Sequence, residues 1–352
     1  MTAGAMLREN YDVAVIGAGP AGLAAATVAT RAGLVTVLFD EQASPGGQIY
    51  RAISDTPLAR GQILGDDYWT GRKLVEDFHA SGAEYVPNAT VFSVTRGREI
   101  GVSTGGAAQL TTARRIIIAT GALERPFPVP GWTLPGVMTA GAAQILLKSC
   151  GLVPAGRTVL AGCGPLLWLL AWQYLQAGLR IDAILDTTAR ENFAEAARHL
   201  PSFAVSRYFA KGLKLIATVR RHVRVVGGVR DLAIAGDGRA EHLRYTTARG
   251  EERLPVDTVL LHHGVVPNVN LAMSIGIEHR FDETQLAFTP VVDAFGATAI
   301  DGIAIAGDGA GIGGAWTAEA RGQLFDGLGA GRLIGGLGAH LISLAHRAAT
   351  PV

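Results

Sequence analysis

Apolar residues recur along this chain in two forms: short β-branched runs that stop at glycine, and longer runs with helical spacing. Tyr11 to Ile16 is a run of the first kind, closed by Gly17. An alanine-rich segment follows, stopping at Ala32-Gly33-Leu34, and then a second strand-like run ends in Asp40. The same order returns later, from Arg157 through the turn Gly162-Cys163-Gly164-Pro165 to Asp186. Gly17 pairs with Gly162, Gly19 with Gly164, Pro20 with Pro165, Gly33 with Gly178 and Leu34 with Leu179, all offset by 145 positions; Asp40 and Asp186 are offset by 146. Each copy predicts a strand, a glycine turn, a helix of about twelve residues and a second strand ending in an acid. That is the βαβ dinucleotide-binding unit.

The remaining pattern places the repeats in an architecture. Arg114 to Gly121 reads as a buried strand ending in Ala119-Thr120-Gly121, followed by a Pro- and Gly-rich crossover over 122–136. Polar alternating segments from about Val223 to Val256 lead through a hairpin into a buried strand, Thr258 to His262. A second crossover passes through Val265 to Asn268, and Gly302 to Asp308 is another buried strand ending in an acid. Gly309, Gly311, Gly313 and Gly314 then lead into a helix near Trp316 to Leu328. The fold class expected is α/β, with two Rossmann-like domains, the second inserted in the first. The first domain would take residues 8–124 and 286–345, the inserted second domain 125–285, and a tail 346–352.

Thr158 to Leu179 carries no charge and is long enough to cross a bilayer, but Gly162, Gly164, Pro165 and Gln173 argue for a strand, a turn and a buried helix. The first residues lack the apolar core of a signal peptide, so a soluble cytoplasmic protein is expected. Composition narrows the chemistry. Among 352 residues, 31 Lys and Arg against 30 Asp and Glu leave a net charge of +1, which argues against nucleic-acid binding. The 46 glycines, about 13% against a usual ~7%, follow no collagen-like period. Cys150 and Cys163 are the only cysteines, too few for a disulfide framework, a four-cysteine zinc site or an iron–sulfur cluster, and too far apart in sequence for a C-x-x-C pair. No metal site is expected. His262 and His263 should point to opposite faces of a strand, leaving open whether one meets a cofactor or substrate. Arg220, Arg221, His222 and Arg224 read as a solvated strand edge. The helix Pro165 to Gln176, apolar nearly all round, should be covered on both sides, its outer face by another subunit.

Each fingerprint residue has a physical role. Gly17 permits the tight turn, Gly19 lets backbone approach a pyrophosphate, and Gly22 lets helix and strand pack closely. The helix N-terminus then faces the phosphates. Asp40 is placed to accept hydrogen bonds from a ribose 2′-OH. In the second copy Leu167 replaces the glycine matching Gly22, so Gly162, Gly164 and Asp186 form a weaker second site. Asp186 there would favour NAD over NADP, if anything binds.

These features resemble the two-dinucleotide-domain flavoproteins typified by thioredoxin reductase, over nearly the whole chain. The resemblance implies that Gly17, Gly19, Pro20, Gly22 and Asp40 hold the ADP half of FAD. It places Thr120 and Gly121 beside the flavin and Asp308 at the ribityl–pyrophosphate region. The contacts assigned to FAD or its ADP half further include Glu41, Gly47, Gln48, Arg51, Val91 and Thr317. With Gly46-Gly47-Gln48-Ile49-Tyr50-Arg51, the segments PGWTLPGVMTAGAAQILL and LLHHGVVPN resemble the α subunits of heteromeric opine, proline and D-hydroxyproline dehydrogenases, and the related subunit of hydrogen cyanide synthase. That likeness implies an FAD-dependent oxidoreductase subunit whose amine-oxidase-like flavoprotein partner oxidises the C–N bond. Longer members carry a cysteine-bearing C-terminal segment, which has no counterpart in these residues. No catalytic residue stands out. Two rival readings stay open: a stand-alone NADH-dependent flavoenzyme without a dithiol, and a non-catalytic scaffold holding an adenine nucleotide.

Overall fold

The computed structural model describes residues 6–189 and 207–323. They fall into two compact units. Unit 1 takes residues 6–55, 67–123 and 265–323; unit 2 takes 56–66 and, as far as described, 124–264. The tail expected at 346–352, and the end of the helix expected to reach Leu328, lie outside the described residues.

Unit 1 opens with β1 (Asn10–Ile16), α1 (Pro20–Arg31) and β2 (Thr36–Phe39). A one-turn helix, α2 (Asp66–Trp69), precedes α3 (Gly71–Ser81), β3 (Glu84–Val86), β4 (Thr90–Val94), β5 (Glu99–Thr104) and β6 (Ala107–Ile118). β1 is buried on both faces from Val13 to Ile16, as expected of a central strand between the parallel neighbours β2 and β6. β6 is long enough to serve two partners along one edge. Its first half pairs antiparallel with β5, and Ile116–Ile118 pair parallel with Ile303–Ile305. Below the sheet, Tyr11, Phe39, Ile100, Ile116 and Ile118 form one buried cluster.

β7 (Ala122–Glu124) spans the boundary, and unit 2 continues with β8 (Val137–Thr139), α4 (Ala140–Cys150), β9 (Thr158–Cys163), α5 (Pro165–Gln176) and β10 (Ala183–Asp186). After the undescribed stretch come α6 (Arg207–His222), β11 (Arg224–Gly227), β12 (Arg230–Ala235), β13 (His242–Thr247), β14 (Gly250–Pro255) and β15 (Thr258–His263). The order β11-β10-β9-β15-β8 makes a parallel sheet, and β12-β13-β14 an antiparallel one. The charge-free run is thus β9, a turn and α5, and no described helix is long and apolar enough to cross a membrane.

Three sequence expectations change. The inserted unit ends at Gly264 and not at 285. The segment beyond it packs into unit 1: Ala272, Ile275 and Ile277 join the Tyr11 cluster, and Arg96 donates to the carbonyls of Ile275 and Gly276. Arg220, Arg221 and His222 are no strand edge but the last turn of α6, where cations oppose the negative end of the helix dipole; the buried Val219 anchors that turn. Finally, α5 is covered in part by its own chain. Arg220 lies 5.7 Å over the Trp168 ring, and the buried Gln173 donates to the Leu64 carbonyl at 3.3 Å.

Buried phenols give the fold an alkaline limit. Desolvation pushes Tyr11 up to about 12 and raises Tyr85, Tyr174 and Tyr245 above their ordinary 10.0. The unfolded chain ionises these groups first, so the stability they contribute is present below pH 10 and lost as pH rises through about 12. Phenolate absorbance followed against pH should rise in a step that coincides with loss of circular dichroism. A smooth rise with the fold intact would contradict the burial of these side chains.

Candidate functional site

The first glycine turn is built from backbone meeting backbone. Gly17 has φ +107°, and a Cβ there would stand 2.5 Å from the Ala119 carbonyl oxygen. A Cβ on Gly22 would lie 1.9 Å from the Gly17 carbonyl oxygen, so α1 rests directly on the end of β1. Gly19 is the N-cap residue and Pro20 follows in the first helical turn; no side chain caps the free N–H groups there. Gly19 is spared protein contact: a Cβ on it would meet nothing nearer than Gly47 Cα, at 3.9 Å.

The other expected residues gather on this turn. Gly46 N donates to the Ala18 carbonyl at 2.8 Å, and Gly47, at φ +61°, could not carry a Cβ without coming within 2.7 Å of Gly19 Cα. Gln48 is exposed beside it. Gly121 lies next to Gly309, whose Cβ would be 3.6 Å from the Gly121 carbonyl. Thr120 Oγ1 donates to the Asn268 carbonyl at 3.2 Å, and Asn268 N donates to the Gly121 carbonyl at 2.9 Å. Asp308 Oδ1 accepts from Gly313 N at 2.9 Å and Gly314 N at 3.0 Å, which shapes the loop into helical residues 315–323. Thr317 is half-buried in that helix, under Gly313. Gly307 closes the ring, since its Cβ would press on Ala21 Cβ at 2.8 Å.

Asp40 braces the turn as well as following the strand. Its Oδ2 accepts from Ala18 N at 3.2 Å and its Oδ1 from Gln42 N at 3.1 Å. Burial pushes its carboxyl above the ordinary range against the pull of these donors and of Arg51. Glu41 is exposed next to it. Arg51 is half-buried, its guanidinium held below the ordinary value by burial, and its Nε is enclosed without a hydrogen-bond partner. Val91 stands apart from the glycine contacts. It is half-buried on β4, and the link to the site runs through Ala89 N, which donates to the Asp40 carbonyl at 2.9 Å. These features fit a dinucleotide: bare backbone above Gly19, an uncapped helix N-terminus and an unpartnered buried cation nitrogen.

Unit 2 repeats the turn with altered fittings. Gly162 has φ +135° and a Cβ there would lie 1.7 Å from the His262 carbonyl oxygen. Leu167 is fully buried at the position matching Gly22. Asp186 Oδ1 accepts from Thr188 N at 2.9 Å and from Thr188 Oγ1 at 2.5 Å. His262 and His263 do point to opposite faces. His262 is buried, with Nδ1 2.5 Å from Glu124 Oε1, while His263 stacks on Phe127 at 4.7 Å and places Nδ1 3.4 Å from Cys163 Sγ. Burial pushes the Cys163 thiol up, with the Asp186 charge adding to the shift. Among the described residues, no cluster of His, Cys, Asp and Glu could hold a metal.

The strand pairing exposes a third part of the repeat that inspection of the sequence missed. His262 stands opposite Gly162 as Ala119 stands opposite Gly17, so His262-His263-Gly264 corresponds to Ala119-Thr120-Gly121 at an offset of 143. Only glycine is shared between these triplets, which left too little signal to find them.

The pyridine nucleotide-disulphide oxidoreductase family model matches residues 11–323. The chain is 48% identical over 326 residues to the A subunit of opine oxidase from Agrobacterium tumefaciens (strain Ach5), a match covering 90% of this chain and 65% of that protein. It is 32% identical over 292 residues to hydrogen cyanide synthase subunit HcnB of Pseudomonas aeruginosa, covering 78% of this chain and 61% of HcnB. The chain thus spans less than two thirds of the length of both relatives. Among solved structures, T. acidophilum thioredoxin reductase shares the fold with a TM-score of 0.64 at 20% identity, covering 97% of this chain and 100% of that one.

Proposed function

This chain belongs to the pyridine nucleotide-disulphide oxidoreductase family, and we propose that it is the FAD-dependent oxidoreductase subunit of a multi-subunit opine- or amino-acid-type dehydrogenase. The observation that carries this reading is the ring of glycine contacts in unit 1, where four chain segments bring bare backbone together at an uncapped helix N-terminus. When bound, FAD supplies reversible electron uptake. The chain's own residues bind and orient it. Gly17, Gly19 and the first turn of α1 take the pyrophosphate, Asp40 or Glu41 a ribose hydroxyl, and Arg51 adds positive charge beside them. Thr120-Gly121 and the Asp308 loop fix the backbone at the flavin end, with Thr317 behind it.

The cysteines argue against disulfide reduction by this chain. It has only two, Cys150 and Cys163, and burial pushes the Cys163 thiol up, away from thiolate character. Substrate C–N oxidation therefore belongs to an amine-oxidase-like flavoprotein partner, in a cytoplasmic hetero-oligomer, and this subunit passes electrons. Both relatives are named as subunits, which supports a multi-subunit assembly.

An absorbance spectrum of the purified chain, followed by anaerobic NADH, tests the reading. A yellow protein indifferent to NADH is expected. Prompt bleaching would instead make it a stand-alone NADH-dependent flavoenzyme, and a colourless protein carrying an adenine nucleotide would make it a scaffold.

A further inference from the structure

A hairpin of unit 1 turns aromatic side chains to solvent. It runs through the antiparallel strands His279–Asp282 and Ala287–Pro290, and Val291 N closes its base by donating to the Glu278 carbonyl at 2.8 Å. Ala287 and Thr289 point inward and are buried. Strand alternation sends Phe288 to the other face, where it stands directly opposite Phe281. The two rings meet edge to face, 5.4 Å apart, yet remain 46% and 52% exposed. At about 200 Å² for each aromatic side chain, some 200 Å² of ring surface is left in water. That is about a quarter of what one side of a standard interface buries, the size of a central anchor.

The hairpin is held in shape from both ends. Asp282 Oδ1 accepts from Thr284 N at 2.8 Å and from Gln285 N at 3.0 Å, which fixes the turn. The Gln285 amide then grips the loop after Asp308: Oε1 accepts from Ile312 N at 2.9 Å, and Nε2 donates to the Ile312 carbonyl at 3.4 Å. The rings are thus presented in a preorganised frame, so a partner need not order them on binding. The same amide ties the hairpin to the loop that the reading above places at the flavin end.

Charge selects the occupant. From 278 to 291 the hairpin carries three carboxylates, Glu278, Asp282 and Glu283, against one guanidinium, Arg280. A second copy docking through this same face would set carboxylates against carboxylates. A different protein with an apolar cleft and a basic rim meets both the rings and the charge. We propose that the Phe281–Phe288 hairpin is the docking surface for the partner subunit, the two rings entering an apolar cleft and Glu278 and Glu283 facing basic side chains at its rim. This rests on the multi-subunit reading above and names the face through which the subunits join. Docking there sets the partner beside the Ile312 loop, with Gln285 as the link between them.

The tagged full chain, purified from cells that make its natural partner, tests this. A second subunit carrying its own flavin should copurify at a fixed ratio, and the amides of residues 278–291 should exchange more slowly in that complex than in the chain alone. Phe281→Ser combined with Phe288→Ser should weaken the complex at least about thirtyfold, the effect of losing one strong interface anchor. The melting temperature and bound nucleotide of the isolated variant should stay near wild type. Glu283→Lys, at an exposed turn position, keeps the test open if the double variant loses its fold. It should slow association several-fold at low salt, and the difference should fade toward about 1 M salt. A folded double variant that holds the partner as tightly, with residues 278–291 unprotected, would overturn the proposal and leave the multi-subunit reading intact. Absence of any second subunit from the wild-type preparation would overturn both. Sedimentation of the chain alone addresses the other occupant: a dimer abolished by the double variant would make this face a contact between copies and overturn the proposal.

Discussion

Gly19→Glu is expected to yield a folded chain that has lost its bound nucleotide. The protein itself does not need glycine there. Gly19 has φ −76° and ψ −177°, open to any residue, and a Cβ would meet only Gly47 Cα at 3.9 Å. The ligand is what needs it, because a glutamate would place bulk and negative charge where a pyrophosphate approaches the helix N-terminus. A carboxylate beside that terminus is itself favourable by about 0.3–1 kcal/mol, so the melting temperature should stay near that of cofactor-free wild type. Nucleotide released on denaturation, measured by chromatography, should fall to near zero. Wild-type content in the variant would move the cofactor away from this turn.

Gly22→Leu, which copies the residue that unit 2 carries, should instead damage the fold. The new Cβ would stand 1.9 Å from the Gly17 carbonyl oxygen, 3.1 Å from its carbon and 3.3 Å from Val15 Cγ1. Two of these are backbone atoms that cannot rotate aside. Relief requires α1 to lift from β1, taking the buried Leu23, Ala25 and Ala29 with it. Overpacking usually costs about 1–3 kcal/mol, but a rigid backbone clash belongs in the exceptional class above about 4 kcal/mol. At roughly 2–4 °C per kcal/mol for a unit of this size, unit 1 should melt at least about 8 °C lower. The reverse change, Leu167→Gly, should not rebuild a first-type turn in unit 2. It would leave a cavity costing about 2–5 kcal/mol and a glycine inside a helix. A scanning-calorimetry trace in which Gly22→Leu melts like wild type would refute the packing described for α1.

The contrast between Gly22 and Leu167 shows how far the sequence could be read. The repeat was legible because a glycine turn between strand and helix must place its glycines at fixed spacings, whatever the rest of the chain does. Secondary structure in the repeats was legible for the same reason: α1 and α5 each run twelve residues between Pro at the start and Ala-Gly after the end. Around Arg220 the charged side chains are solvent-exposed, as the sequence suggests, but they end a helix and not a strand, because the buried Val219 anchors a helical turn there. The domain boundary was misplaced because Ala272, Ile275 and Ile277 look alike in either unit; only packing assigns them to the first.

By itself the sequence determined the α/β class, the two βαβ units and the absence of a dithiol. These rest on local rules: glycine's access to positive φ, the periods of strand and helix, and a count of cysteines. Tertiary structure alone decided how Glu124 meets His262 across 138 positions, which residues cover α5, and where Val265 returns the chain to the first unit. Such pairings depend on the order in which strands find one another, here β9 between β10 and β15, and that order is set by burial of the whole sheet. No window of neighbouring residues contains it.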